Sequence, residues 1–114
     1  MPGRVFLDSN VLIYAYSETE PEKRAIARDL WRLPDAWVST QVLNEVANVL
    51  SRKFRLPFAD VGRVIQQITR ALPVCTVDVA IIHDAISLAA RHPHSYFDAL
   101  MLAVAAHLAM ELVA

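Results

Sequence analysis

Short apolar runs alternate along this chain with longer stretches in which apolar residues recur every three or four positions. Val5-Phe6-Leu7 reads as a short buried strand closed by Asp8. Residues 11–16 continue apolar and start a short helix. Thr19-Glu20-Pro21-Glu22 turns into a helix that runs to about residue 33, with Pro21 near its first position. Pro34-Asp35 ends it, and Ala36-Trp37-Val38-Ser39 reads as a second strand. Thr40 is the expected cap of a helix to about residue 54, because Val42, Leu43, Val46, Val49 and Leu50 share one face. Leu56-Pro57 breaks the chain. Val61, Val64, Ile65 and Ile68 then mark a helix to about residue 71, with Arg63 and Arg70 outside. Val74-Cys75-Thr76-Val77 is a third strand. Asp78 caps a helix whose expected buried face is Val79, Ile82, Ala85, Ile86 and Ala89, ending near His92-Pro93. Ser95 caps the next helix, which is apolar almost all round and therefore central. Residues 110–114 read as a fourth strand in preference to more helix.

Strands that alternate with helices predict an α/β fold, a parallel sheet covered on both faces. Ligands of such sheets bind beyond the carboxyl ends of the strands, and Asp8 lies on that rim. No repeat, low-complexity run or linker divides the 114 residues, so one domain over 1–114 is expected.

Composition sharpens the picture in three ways. The hydrophobic fraction is 55%, above the ~45–50% usual for soluble domains, so apolar surface is expected to meet a partner chain. The net charge of -1 does not advertise nucleic acid. Charge can still be segregated, since Arg52, Lys53, Arg55, Arg63 and Arg70 concentrate in the middle of the chain. Cys75 is alone and is read as a small core residue. There is no secretory signal, and the apolar run after Asp98 falls short of the ~20 residues of a membrane span. A soluble cytoplasmic protein is expected.

Candidate chemistry rests on three acids far apart in sequence. Asp8 closes the first strand, Glu45 lies in Ser39-Thr40-Gln41-Val42-Leu43-Asn44-Glu45, and Asp98 opens the last apolar helix. A carboxylate beside a core is costly unless it is paired, hydrogen-bonded or bound to a metal. If the three converge, they form an oxygen site for magnesium or manganese, whose bound water becomes a nucleophile. Each acid also has a structural use: Asp8 as a turn residue, Glu45 as a first-turn glutamate, Asp98 as the third residue of a capping box with Ser95. Asn10 can bond its own turn or steady Asp8. His83, His92, His94 and His107 lack ligand spacing, and His83-Asp84 is placed on a solvated face. Trp31 and Trp37 are read as core. Arg52, Lys53 and Arg55 form either a solvated helix end or a phosphate contact. No phosphate-binding loop exists, because the only glycines are Gly3 and Gly62. The Asp-x-Asn motif also looks a little like haloacid-dehalogenase phosphohydrolases. That chemistry needs a lysine after a strand, and neither Lys23 nor Lys53 follows one.

Val5-Phe6-Leu7-Asp8-Ser9-Asn10-Val11-Leu12-Ile13-Tyr14-Ala15, the segment ending in Glu45, and Ser95-Tyr96-Phe97-Asp98-Ala99-Leu100-Met101-Leu102-Ala103 together resemble the PIN domains, specifically the VapC-type toxin ribonucleases. Their order and spacing agree over essentially the whole chain. The resemblance implies a three-layer α/β/α fold and a magnesium- or manganese-dependent endoribonuclease. It implies a cognate VapB-type antitoxin that blocks the site, and a homodimer. Asp8, Glu45 and Asp98 take the metal-ligand roles and Asn10 a supporting one. The helices between about residues 40 and 71 correspond to the arm used for dimer and antitoxin contacts.

Family members usually continue into a further acidic motif and terminal elements, and this sequence stops at Ala114, where that motif would begin. The expectation is weaker metal binding and slow cleavage. The alternative is an inactive remnant that only binds an antitoxin or its own kind. An apolar edge beside Val5–Leu7 is expected to be covered by residues 110–114, by a second copy or by an antitoxin.

Overall fold

The computed structural model describes residues 4–91, 95–109 and 111–113. Its elements are β1 (Val5–Leu7), α1 (Ser9–Tyr14), α2 (Pro21–Trp31), β2 (Ala36–Ser39), α3 (Thr40–Arg52), α4 (Phe58–Ala71), β3 (Val74–Cys75), α5 (Val79–Arg91), α6 (Tyr96–His107) and β4 (Glu111–Val113). The strands form one sheet in the order β3-β2-β1-β4, and each described pairing is parallel. Val5 registers with Ala36 on one side and Glu111 on the other. The edge beside β1 is thus covered by residues 111–113, the first of the three expected coverings. Met110, Ala114 and the loop histidines His92 and His94 lie outside the described residues.

Alternation along the strands divides the core. Val5 and Leu7 of β1 and Ala36 and Val38 of β2 face a cluster built with Val11, Leu12, Val42, Val46 and Ile68. Phe6 and Cys75 face the other way, onto Ile81, Ala85, Leu100 and Val104, with Trp37 packed beside them. Successive strand residues point to opposite faces, so a sheet buried on both sides needs apolar residues at every position. Phe6 and Leu7 accordingly have 0% exposure. The three-layer α/β/α arrangement follows, with α1–α4 on one face and α5 and α6 on the other. No described helix is long and apolar enough to cross a membrane.

Three local expectations need correction. Thr40 does not cap α3. Ser39, fully buried, accepts from the Val42 amide at 3.2 Å, while the Thr40 hydroxyl accepts from the Val77 amide at 3.0 Å. That bond satisfies the Val77 amide outside any ladder, and β3 stops at Cys75. The third correction concerns α5. Asp78 caps it as expected, accepting from the Ile81 amide at 2.9 Å. Of the expected face Ala85 is buried, together with Ile81, whereas Val79, Ile82 and Ile86 are exposed. The helix is apolar on two sides, and packing chose the side where small Ala85 lets α6 approach closely.

Candidate active site

Asp8 and Glu45 meet through Ser9. Asp8 sits in extended backbone (φ -75, ψ 161) at the cap of α1, and its Oδ1 accepts from the Ser9 amide at 2.7 Å. Its carbonyl also accepts from the Val11 amide at 3.1 Å. Fixing the strand-to-helix turn therefore occupies one carboxylate oxygen, and no described donor reaches Oδ2. Glu45 comes from the second turn of α3, between Val42 and Val46, which are buried in the core. The Ser9 hydroxyl donates to Glu45 Oε2 at 2.9 Å and lies 3.4 Å from Asp8 Oδ1. Gln41, one turn earlier on α3, donates to Glu45 Oε1 at 3.3 Å.

One hydroxyl proton thus stands between two carboxylates from separate elements. The ion pairs among the described residues, Lys23–Glu20, Arg32–Asp29 and Arg63–Asp60, involve neither acid. Like charges brought together without a protein cation favour a bound one. The donors are all oxygen, as a hard divalent cation requires, and magnesium is commonly held by one or two carboxylates plus water. The pair fits such an ion.

Asp98 stands differently. It occupies the first turn of α6, where its amide donates to Ser95 Oγ at 3.2 Å, and its side chain is exposed. The helix that carries it packs Leu100 and Val104 with Phe6, so α6 lies against the strand that ends in Asp8. No described contact joins Asp98 to Asp8 or Glu45. Among the described residues no three His, Cys, Asp or Glu side chains group closely enough to hold a metal ion.

A groove of about 810 Å³ opens beside the carboxylate pair, with Ser9, Asn10, Glu45, Asn48, Lys53 and Phe54 among its lining. Asn10 is exposed there. Lys53, the exposed C-cap of α3, belongs to this wall. Ser9 and Gln41, which both bond Glu45, are the site neighbours that sequence reasoning did not single out. The signal for Ser9 was available, since a serine flanked by Asp8 and Asn10 in an apolar run has few bland uses. Gln41 precedes Glu45 by one helical turn, the spacing at which an amide and a carboxylate meet.

This constellation sits at the carboxyl ends of parallel strands, where α/β proteins place their chemistry. The PIN domain family model matches residues 5–114, and the chain belongs to that family. The fold is shared with the crystal structure of Mycobacterium tuberculosis VapC20, a sarcin–ricin-loop-cleaving toxin, at a TM-score of 0.74 and 19% identity, over 93% of this chain and 84% of that one. It is shared also with a toxin–antitoxin complex from Klebsiella pneumoniae, at a TM-score of 0.71 and 21% identity, over 98% of this chain and 85% of that one. No curated protein matches it by sequence.

Proposed function

We propose that this chain is a VapC-type toxin, a magnesium- or manganese-dependent endoribonuclease that hydrolyses RNA phosphodiester bonds in the cytoplasm. The observation that carries the reading is the Asp8–Ser9–Glu45 bridge, two carboxylates on one hydroxyl at the rim of a parallel sheet. Membership of the PIN family supports the nuclease class. In this reading Asp8 and Glu45 hold the cation. Asp98 is the third contributor, directly or through the waters that magnesium keeps. When bound, the ion supplies an activated water and offsets charge on the phosphate. The chain's own part is positional. Ser9 and Gln41 orient Glu45, the α1 cap fixes Asp8, and Asn10 and Lys53 present polar groups to the strand in the groove. A VapB-type antitoxin and a homodimer complete the proposal. Support for the antitoxin comes from the Klebsiella neighbour, which was solved as a toxin–antitoxin complex.

The test is RNA cleavage in manganese with wild type and Asp8→Ala side by side. Cleavage by wild type alone is expected, whereas equal cleavage by both proteins would point to a contaminating nuclease. A second reading makes the chain only an antitoxin-binding or self-association module. The exposed Val79, Ile82 and Ile86 and the separation of Asp98 favour it. RNA cleavage that Asp8→Ala abolishes rejects it.

A further inference from the structure

A second cavity, of about 690 Å³, lies at the other end of the sheet, where β2 begins and the C-terminal ends of α2 and α4 converge. Its polar lining is rich in donors. Arg28, an exposed residue, donates from Nε to the Ala15 carbonyl at 3.0 Å, and no described bond engages its terminal amino groups. Arg32 follows one turn later, its nearest acid being Asp29 at 3.8 Å across solvent. Gln67 accepts the Tyr16 hydroxyl on Oε1 at 2.7 Å, so its amide nitrogen is the free end. The Gln67 side-chain acceptor is thus committed to Tyr16. Tyr16 and Trp31 add an aromatic surface, their rings 5.8 Å apart and inclined at 59°. A helix C-terminus attracts cations, which would explain arginines pointing to solvent. The Arg28 bond caps the last carbonyls of α1 and thereby fixes the guanidinium at the cavity wall.

Two guanidinium groups suit a phosphate, and an aromatic pair suits a nucleobase. Tyr16 lines this cavity and the carboxylate groove alike, so the two adjoin at the end of α1. We propose that this cavity is a second RNA-contact site, in which Arg28 and Arg32 hold the phosphate of one nucleotide and Tyr16 and Trp31 carry its base, further along the strand that crosses the carboxylate groove. The assignment rests on the RNA reading above but is tested without cleavage.

Wild-type chain in EDTA is titrated with a short mixed-sequence single-stranded RNA, with AMP and with benzoate. The indole N–H resonances of Trp31 and Trp37 are followed, assigned through Trp37→Phe. The Trp31 signal is expected to move with RNA and the Trp37 signal to stay. RNA should bind at least about tenfold tighter than AMP, since it meets both cavities. Arg32→Gln, at an exposed position that should not disturb folding, should weaken RNA binding about tenfold, and Arg28→Gln at least as much. An unmoved Trp31 overturns the site, even if the protein cleaves RNA in manganese. AMP binding as tightly as RNA makes it a free-nucleotide pocket, and benzoate matching AMP makes it an unselective anion pocket. Either result also overturns the proposal. A shifted Trp31 without any cleavage supports the site and counts against the nuclease reading alone.

Discussion

Ser9 and Glu45 are joined by a hydroxyl-to-carboxylate bond of 2.9 Å, the one direct polar link described between β1's turn and α3. Ser9 is only 8% exposed and Glu45 is half-buried, so the bond is partly shielded from water. Groups that orient a metal-binding carboxylate typically change affinity about 10–100-fold when removed. Ser9→Ala should therefore raise the manganese dissociation constant about tenfold, read by calorimetry, and Ser9→Thr should recover most of it. Matching isotherms for wild type and Ser9→Ala would remove Ser9 from the site.

The two apolar sides of α5 make opposite predictions. Ile81 has 1% exposure and Ile86 has 50%. Ile81→Ala should cost roughly 2–4 kcal/mol through lost burial and the cavity left behind. Ile86→Lys should stay within about 0.5 kcal/mol, as surface changes do. Urea denaturation of both variants decides the matter, and a large loss at Ile86 would restore the face that periodicity suggested.

Arg55 adopts φ 53, in the left-handed region, just past α3. The Leu56 amide closes the helix onto the Leu50 carbonyl at 3.0 Å around it, a geometry that usually employs glycine. Arg55→Gly should stabilise the fold by roughly 0.5–1 kcal/mol. A lower urea midpoint for this variant would mean that the arginine side chain contributes more than its backbone costs.

Burial pushes the Cys75 thiol above its ordinary 9.0, and Asp78 adds to the effect. Burial likewise lifts Tyr16 above 10.0, against the opposing pull of Arg28. As pH climbs, the unfolded chain loses these protons before the native one does, so stability falls. This contribution is intact below pH 9.0 and declines above it, first through Cys75 and then through Tyr16. Urea midpoints between about pH 8 and about pH 10.5 should show the fall, and Cys75→Ala should delay its onset. An onset that Cys75→Ala leaves in place assigns the decline to other groups.

Much of the fold was legible because strands and helices announce themselves by different periods. Val5-Phe6-Leu7 and Ala36-Trp37-Val38-Ser39 stand in the structure where the pattern put them. The side of α5 was not legible, since Val79, Ile82 and Ile86 are as apolar as Ile81, Ala85 and Leu88. Only contact with α6 separates the two stripes. Ser39 and Thr40 could each cap α3 by chemistry, and the choice turned on the distant Val77 amide. In the site, motif spacing singled out Asp8 and Glu45, which do meet. It was silent on Ser9 as their bridge, because a hydrogen bond across 36 residues leaves no local mark.

The strand that ends in Asp8 is made first, yet its neighbour β4 is made more than a hundred residues later, as the pairing of Val5 with Glu111 requires. Contacts so remote in sequence close slowly. During synthesis the rim bearing the acids stays on an incomplete scaffold until residue 113 has emerged. A chain able to cut RNA would thus complete the sheet that carries its acids only after residue 113 had been made.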